Sequence, residues 1–520
     1  MAHLGEQTQA HGGGDHVAAQ IGRHARTRPD EVAVVYLGST PPRQVTYREL
    51  DDRAARLARI LHDRGVGNGD RVAILMMNRP EYLEAVAAIM RLGAIAVPLN
   101  ARLTPAEANY QLATSGSTAL LVDDDLAELA AAAVAEQTAV RFRLKVGAGW
   151  EAAIAKVDPI AERWLPSESP AVIMYTSGTT GRPKGAVLSH ANLYAYVTAR
   201  YAHLGFPAAC RTALCAVPLF HIAGFMTCLA AIYVGGRIVL TRSGAFDPQE
   251  TIDVLLRERV NQAFFVPAQW QAIVRHPSIV GRAFPDLLAA NWGAAPATAE
   301  LVREIQAAFP TTSLTSAFGM TETTSTALVL MPGDALARPD SIGKPLLGVE
   351  VRVVDATMND VPVGEVGELV YRGPSVMVGY WDEPEQTAEA FRGGWFHSGD
   401  LVRVDEDGFF YVVDRLKDMI ISGGENIYCA EVENVLAGHP KVGAVAVVGC
   451  RDERWGEVPV AVVVARDGEP PSDSELESWA RSRLAPYKVP RRVVVIDEMP
   501  MNANGKIRKP DLRALVRDGE

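Results

Sequence analysis

A chain of 520 residues is too long for one ordinary hydrophobic core and is expected to fold as two or more domains. Hydrophobic residues make up 48% and charged residues 22%, the balance of a soluble globular protein. The formal net charge of −11 offers no global cationic field for nucleic acid or anionic lipid, so an anionic ligand would need a local basic site.

The five cysteines (Cys210, Cys215, Cys228, Cys429 and Cys450) are odd in number and form no CxxC pair. Neither a disulfide framework nor a zinc site is expected, and a reducing, cytoplasmic setting is. No apolar run reaches membrane-spanning length, which argues against an integral membrane segment. Residues 1–16 are polar and glycine-rich without a signal-peptide core, and are expected to be a flexible terminus.

Helix and strand then alternate. Thr46 and Glu49 have capping-box spacing, and Leu50, Ala54, Leu57 and Leu61 recur on one helical face until Gly65. Val72–Met76 reads as a buried strand, Pro80 opens a helix ending at Gly93, and Ala94–Val97 reads as the next strand. Such units imply a parallel sheet covered by helices. From about residue 345 to 413 the rhythm changes to short β-rich segments, VEVRVVD, GELVYRG and GFFYVVD, separated by Gly, Pro and Asp turns. After Lys417 a smaller α/β unit follows, with helices over Glu431–Leu436, Ser472–Leu484 and Pro510–Val516 and strands over Val445–Val448, Val460–Val464 and Arg492–Ile496. The fold class is α/β. A large N-terminal domain (17–416) combines parallel-type layers with a β-rich subdomain, and a small α/β domain (417–520) follows.

The local basic site is legible at Ala171–Tyr175, an apolar strand running into Thr176-Ser177-Gly178-Thr179-Thr180-Gly181-Arg182-Pro183-Lys184-Gly185. Three glycines let backbone N–H groups turn toward an anion, four hydroxyls add donors, and Lys184 brings a compact positive charge. The glycine–lysine spacing differs from GxxxxGK[ST], and no Ser or Thr follows Lys184.

TSGTTGRPKG resembles the signature loop of the adenylate-forming superfamily, which includes acyl- and aryl-CoA synthetases, luciferases and adenylation domains. Further motifs follow in the expected order, so the resemblance covers about residues 17–515. It implies ATP, Mg²⁺ and coenzyme A, and assigns Thr176–Gly181 and Lys184 to the phosphates. Gly293-Ala294-Ala295 is implied to pack against the adenine face. Phe318-Gly319-Met320-Thr321-Glu322 resembles a YG-x-TE motif, with Phe318 where Tyr is commoner. A ring can still stack there, but a phenolic contact is lost. The resemblance places Thr321 on the α-phosphate, Glu322 with Thr176 at the Mg²⁺, and Asp400 and Arg415 on the ribose. Mg²⁺ favours few carboxylates plus phosphate oxygens and water, which agrees.

In Pro218-Leu219-Phe220-His221-Ile222-Ala223-Gly224-Phe225 a lone imidazole is ordinarily a core residue or helix cap. By resemblance, Phe220 and His221 line an acyl pocket and gate pantetheine entry, with Phe225, Trp292, Gly319 and Thr324 as further lining. Core packing is an equal reading of Trp292. Lys417, in Asp414-Arg415-Leu416-Lys417-Asp418, takes the hinge position that makes the C-terminal domain mobile. Ser422-Gly423-Gly424 takes the pantetheine loop, although a plain turn would look identical. Lys506, in Asn504-Gly505-Lys506-Ile507, takes the place of the lysine that bridges carboxylate and α-phosphate.

The implied reaction is carboxylate plus ATP to acyl-AMP and pyrophosphate, then acyl transfer to the CoA thiol. Three alternatives stand beside it: an amino-acid-activating domain loading a carrier protein, a luciferase-type oxygenase, and a non-enzymatic nucleotide-binding module. Against the first, no Asp follows the PLF segment to hold an ammonium. The largely apolar lining (also Met226, Ala289, Ala290 and Ala317) favours a hydrophobic monocarboxylic acid, aliphatic, alicyclic or aromatic. The partners expected are that acid and CoA, with a homodimer left open and nucleic acid excluded.

Overall fold

The computed structural model describes residues 16–136, 138–176, 182–205, 211–244, 246–452, 454–466, 468–502 and 506–517. The flexible terminus expected over 1–16 lies outside these residues except for His16, which is buried and accepts a hydrogen bond at Nδ1 from the Ala19 N–H (3.0 Å). The chain divides into two compact units, Met1–Glu350 with Tyr371–Phe396, and Val351–Val370 with His397–Glu520. This division does not fall at the single point between residues 416 and 417 read from composition, because the β-rich strands group with the C-terminal residues.

Among the described residues the first unit holds two large sheets. In the seven-stranded one, Ile95–Pro98, Arg71–Leu75, Ala119–Val122 and Phe142–Lys145 run parallel. Pro170–Thr176 continues the parallel run beside Ile95–Pro98. Lys184–Ser189 then returns antiparallel, and the short strand Gly379–Tyr380 closes that edge. The nine-stranded sheet has a parallel centre that includes Gln262–Phe265, Ala289–Gly293 and Ser313–Phe318. Most central strands are buried along their length, as expected where helices cover both faces.

The helices follow their sequence signals. Thr46 and Glu49 form the expected reciprocal cap, and Tyr47–Asp63 buries Leu50, Ala54, Leu57 and Leu61. Helix Pro80–Arg91 is buried throughout, Glu81 and Glu84 included. Both carboxylates are tolerated because Arg43 reaches Glu81 and Arg53 reaches Glu84, each at 2.6 Å.

A four-stranded sheet, most of whose residues belong to the second unit, orders Glu350–Val354, Val366–Arg372, Phe396–Val404 and Phe410–Arg415. The other sheet is built on the hairpin Val442–Asp452/Gly456–Ala465, with Arg492–Val495 added in parallel. Its valine runs serve two cores. Val447, Ala461 and Val463 pack with helices Cys429–Ala437 and Asp473–Arg481, while Val448, Val460 and Val462 pack with helix Lys509–Arg517. That two-sided burial explains why these strands read as unbroken apolar runs.

Candidate active site

The strands Pro170–Thr176 and Lys184–Ser189 pair so that Thr176 stands opposite Lys184. Ser177, Gly178, Thr179, Thr180 and Gly181 lie outside the described residues. Thr176 donates its hydroxyl to Glu322 Oε1 at 2.9 Å. Glu322 sits buried in the 3₁₀ turn Thr321–Thr323, and its carbonyl accepts the Met377 N–H (2.8 Å). A second hydroxyl, from Tyr380, donates to the same Oε1 at 3.3 Å. Burial first, and then the Glu322 carboxylate, push the Tyr380 phenol well above its ordinary pKa, so it stays protonated as a donor. The Lys184 ammonium lies 5.2 Å from the Tyr380 ring centroid.

Sequence reading missed Tyr380. Its signal was the Gly379-Tyr380 dipeptide, where Gly379 has φ +158° and a Cβ would meet Thr387 at 2.7 Å. Gly379 pairs with Val187 and Tyr380 with Ala186 at that sheet edge, and a side chain at Gly379 would collide with Thr387.

Gly293 ends its strand opposite Ala317, and a Cβ there would lie 2.4 Å from the Ala317 carbonyl oxygen. The chain then turns through Ala294, at φ 64° a left-handed alanine, leaving Ala294 and Ala295 exposed. Phe318, Met320 and Thr321 are half-buried. Gly319 admits no side chain, since a Cβ would sit 2.0 Å from the Ser325 carbonyl oxygen. Neighbouring backbone thus leaves no room for a side chain at Gly293 or at Gly319.

Phe220 and Phe225 are buried, the former in a core with Leu75, Leu99 and Ile173. His221 is half-buried at the N-cap position of helix Ile222–Tyr233, makes no side-chain cap bond, and tilts against the Phe220 ring at 4.8 Å. Trp292 is fully buried, and Thr324 is buried with its hydroxyl donated to the Ser375 carbonyl (2.6 Å). Asn78 is a further residue missed in the sequence. It accepts the Leu219 N–H (2.8 Å) and donates to the Val217 carbonyl (3.0 Å), pinning the segment before His221. A lone buried Asn between strand and helix carried too little pattern to be singled out.

Within the second unit Asp400 and Arg415 are directly opposed across antiparallel strands. Their neighbourhood is held by Glu368, which bonds His397 Nδ1 (2.8 Å) and accepts the Gly399 N–H (3.0 Å). Glu368 belongs to the GELVYRG segment, which was read for its strand alone. Lys417 is exposed, its carbonyl accepting from Arg513 (3.3 Å), while Arg513 also pairs with Asp418 (2.8 Å). Gly423 and Gly424, at φ +61° and +89°, form the two-residue turn joining Ile420–Ser422 to Glu425–Ile427. Two successive positive φ values are what such a hairpin turn demands, so the plain-turn geometry is realised. Lys506 is exposed, and its N–H donates to Asn502 Oδ1 (3.0 Å). Asn504 and Gly505 lie outside the described residues.

The donor set around Glu322 suits Mg²⁺: one buried carboxylate, anchored through one oxygen by two hydroxyls, with the Lys184 ammonium against the Tyr380 ring. Among the described residues no cluster of three or more His, Cys, Asp or Glu competes as a metal cage.

Residues 21–381 match the AMP-binding enzyme family, and 431–506 match the AMP-binding enzyme C-terminal domain. The chain belongs to the AMP-binding enzyme family. It is 44% identical over 493 residues to a feruloyl-CoA synthase of an Amycolatopsis species, covering 94% of this chain and 97% of that one. It resembles o-succinylbenzoate CoA synthetase from Bacillus subtilis in complex with its acyl-adenylate intermediate, with TM-score 0.85, 32% identity, and 96% and 97% of the two chains covered. Another structure of that synthetase, in complex with ATP and a magnesium ion, matches with TM-score 0.84 at 31% identity over 96% and 99% of the chains. This AMP-binding enzyme is an ATP-dependent acid–thiol ligase, forming an acyl-adenylate and then a CoA thioester, with ATP, Mg²⁺ and CoA as its requirements. Among the described residues, no helix is long and apolar enough to cross a membrane.

Proposed function

We propose that the acid is aromatic and hydrophobic, of the arylpropenoate type, and that the residues above divide the work as follows. The observation carrying the chemistry is the Thr176–Glu322–Tyr380–Lys184 constellation. The 44% identity to a feruloyl-CoA synthase over 493 residues, with buried Phe220, Phe225 and Trp292, supports the choice of acid.

Carboxylate and polyphosphate repel one another, so catalysis here is chiefly charge neutralisation and in-line placement. Lys184 and the 176–181 loop hold the outer phosphates, Thr321 the α-phosphate, and Lys506 bridges carboxylate to α-phosphate. Glu322 and Thr176 hold the Mg²⁺, which when bound supplies positive charge to the phosphate oxygens. Gly293, Ala294, Ala295 and Phe318 form the adenine shelf, with Gly319 and Met320 shaping its edge. Asp400 and Arg415 take the ribose. A carboxylate oxygen forms its bond to the α-phosphorus as the bond to pyrophosphate breaks. In the second step the CoA sulfur bonds to the acyl carbon and AMP leaves with the bridging oxygen.

Between the steps the body beyond Lys417 (417–520) turns about that residue, withdrawing Lys506 and presenting Ser422, Gly423 and Gly424. Phe220, His221, Phe225, Trp292, Gly319 and Thr324 line the acyl site. The buried cysteines Cys215, Cys228, Cys429 and Cys450 carry thiols rather than disulfides, which favours a cytoplasmic enzyme.

The test is CoA-dependent AMP release across a panel of arylpropenoic, benzoic, fatty, dicarboxylic and amino acids. Arylpropenoic acids are expected to give the highest kcat/KM. Preference for amino acids or dicarboxylates would sink the reading.

A further inference from the structure

We propose that Tyr380 is a positioning residue that fixes the metal-holding carboxylate and the phosphate-holding lysine relative to one another. The proposal rests on the reading that Glu322 holds Mg²⁺. Two hydroxyl donors, from Thr176 (2.9 Å) and Tyr380 (3.3 Å), converge on Oε1 of Glu322. Both bonds hold the same oxygen, so the carboxylate is anchored on one side by two donors from different strands. The same tyrosine ring carries the Lys184 ammonium at 5.2 Å, a distance at which cation and ring attract.

One side chain thus touches both charges that must meet the polyphosphate. The backbone makes this a built arrangement. Tyr380 pairs with Ala186 in the strand that begins at Lys184, and its N–H donates to Thr387 Oγ1 (2.9 Å). Lys184 and Tyr380 therefore keep their spacing through the sheet, while Glu322 is tied to the segment leading into Tyr380 by the Met377 N–H (2.8 Å).

Partners of this kind, one shell out from a metal, typically alter metal affinity about 10- to 100-fold when removed. The experiment uses the full chain with a non-hydrolysable α,β-methylene ATP analogue, titrating Mn²⁺ by electron paramagnetic resonance. In parallel, the Mg²⁺ concentration for half-maximal acid-dependent pyrophosphate exchange is measured. Tyr380→Phe keeps the ring and removes the donor. It is expected to weaken Mn²⁺ about tenfold and raise the Mg²⁺ half-saturation similarly, with kcat at saturating Mg²⁺ falling less. Tyr380→Leu removes the ring as well and should additionally raise the KM for ATP. Combined with Thr176→Val, the Phe variant should lose more than the sum of the single losses, since both donors hold one oxygen.

A Tyr380→Phe protein with a lowered melting temperature but metal affinity within twofold of wild type would reduce the tyrosine to a packing role and overturn the proposal. Glu322→Gln separates the two layers. If it binds Mn²⁺ like wild type, the metal assignment itself fails; if it loses Mn²⁺ while Tyr380→Phe does not, only the tyrosine proposal falls.

Discussion

Arg415 closes on Asp400 across the two strands that carry them, Nε to Oδ1 at 2.6 Å, in a directly opposed pair. Asp400 is 4% exposed at its side chain and Arg415 43%, so the carboxylate is set and the guanidinium faces outward. Ser398 reinforces the geometry, since its Oγ accepts the Asp400 N–H at 3.0 Å and its carbonyl accepts from Arg415 at 3.3 Å.

If the pair holds the ribose, Asp400→Asn exchanges a charged acceptor of two hydroxyl groups for a neutral amide. Hydrogen bonds to a charged group contribute about 1.5–3 kcal/mol each, so the KM for ATP in pyrophosphate exchange should rise at least tenfold. Arg415→Leu strands a buried carboxylate without its partner and should cost more thermal stability than Asp400→Asn. An unchanged KM for ATP in the Asn variant would remove Asp400 from the nucleotide site.

Lys506 and Lys417 are both exposed, and their proposed roles belong to different half-reactions. Lys506→Ala should lose acid-dependent pyrophosphate exchange by two orders of magnitude or more, roughly one strong electrostatic contact in the transition state. It should still convert supplied acyl-AMP to thioester. Lys417→Pro, which restricts φ at the proposed hinge, should impair thioester formation more than exchange. Equal losses in both halves for either variant would argue against a turn about Lys417.

Much of this was legible because its signals are local. The Thr46–Glu49 cap, the Ser472 helix start and the two-sided valine runs announce their elements within a few residues, and each was found within about four residues of its reading. Thr176, Lys184, Glu322, Asp400 and Arg415 were singled out because each lies in a dense motif.

What escaped were residues whose meaning is a long-range contact. Tyr380 is 58 positions from Glu322, Glu368 is 29 from His397, and Asn78 is 141 from Leu219. No periodicity or spacing reports such pairs. The grouping of residues into two compact units is long-range in the same sense, since residues 371–396 cluster with the first unit while 351–370 and 397–520 cluster with the second.

His190 offers a test that does not depend on the reaction. It is the first residue of helix His190–Leu204, fully buried, and among the described residues neither ring nitrogen has a hydrogen-bond partner. Burial, with a smaller contribution from the neighbouring His16 (ring centroids 5.5 Å apart), pushes its pKa down to about 3. A helix N-terminus opposes an imidazolium as well. Unfolded, the same imidazole titrates near 6.5. Between those values the unfolded chain binds a proton that the folded one does not, so stability increases with pH across the window. It is complete above about 6.5 and is lost as pH falls. The loss from this one residue is about 2 kcal/mol between pH 7 and pH 5. His190→Phe fills the space with no group to titrate, so its urea midpoint should fall less than that of wild type over that range. Carboxylates common to both proteins cancel in the comparison. Parallel midpoint curves for the two proteins would show that His190 is protonated in the folded state as readily as in the unfolded one.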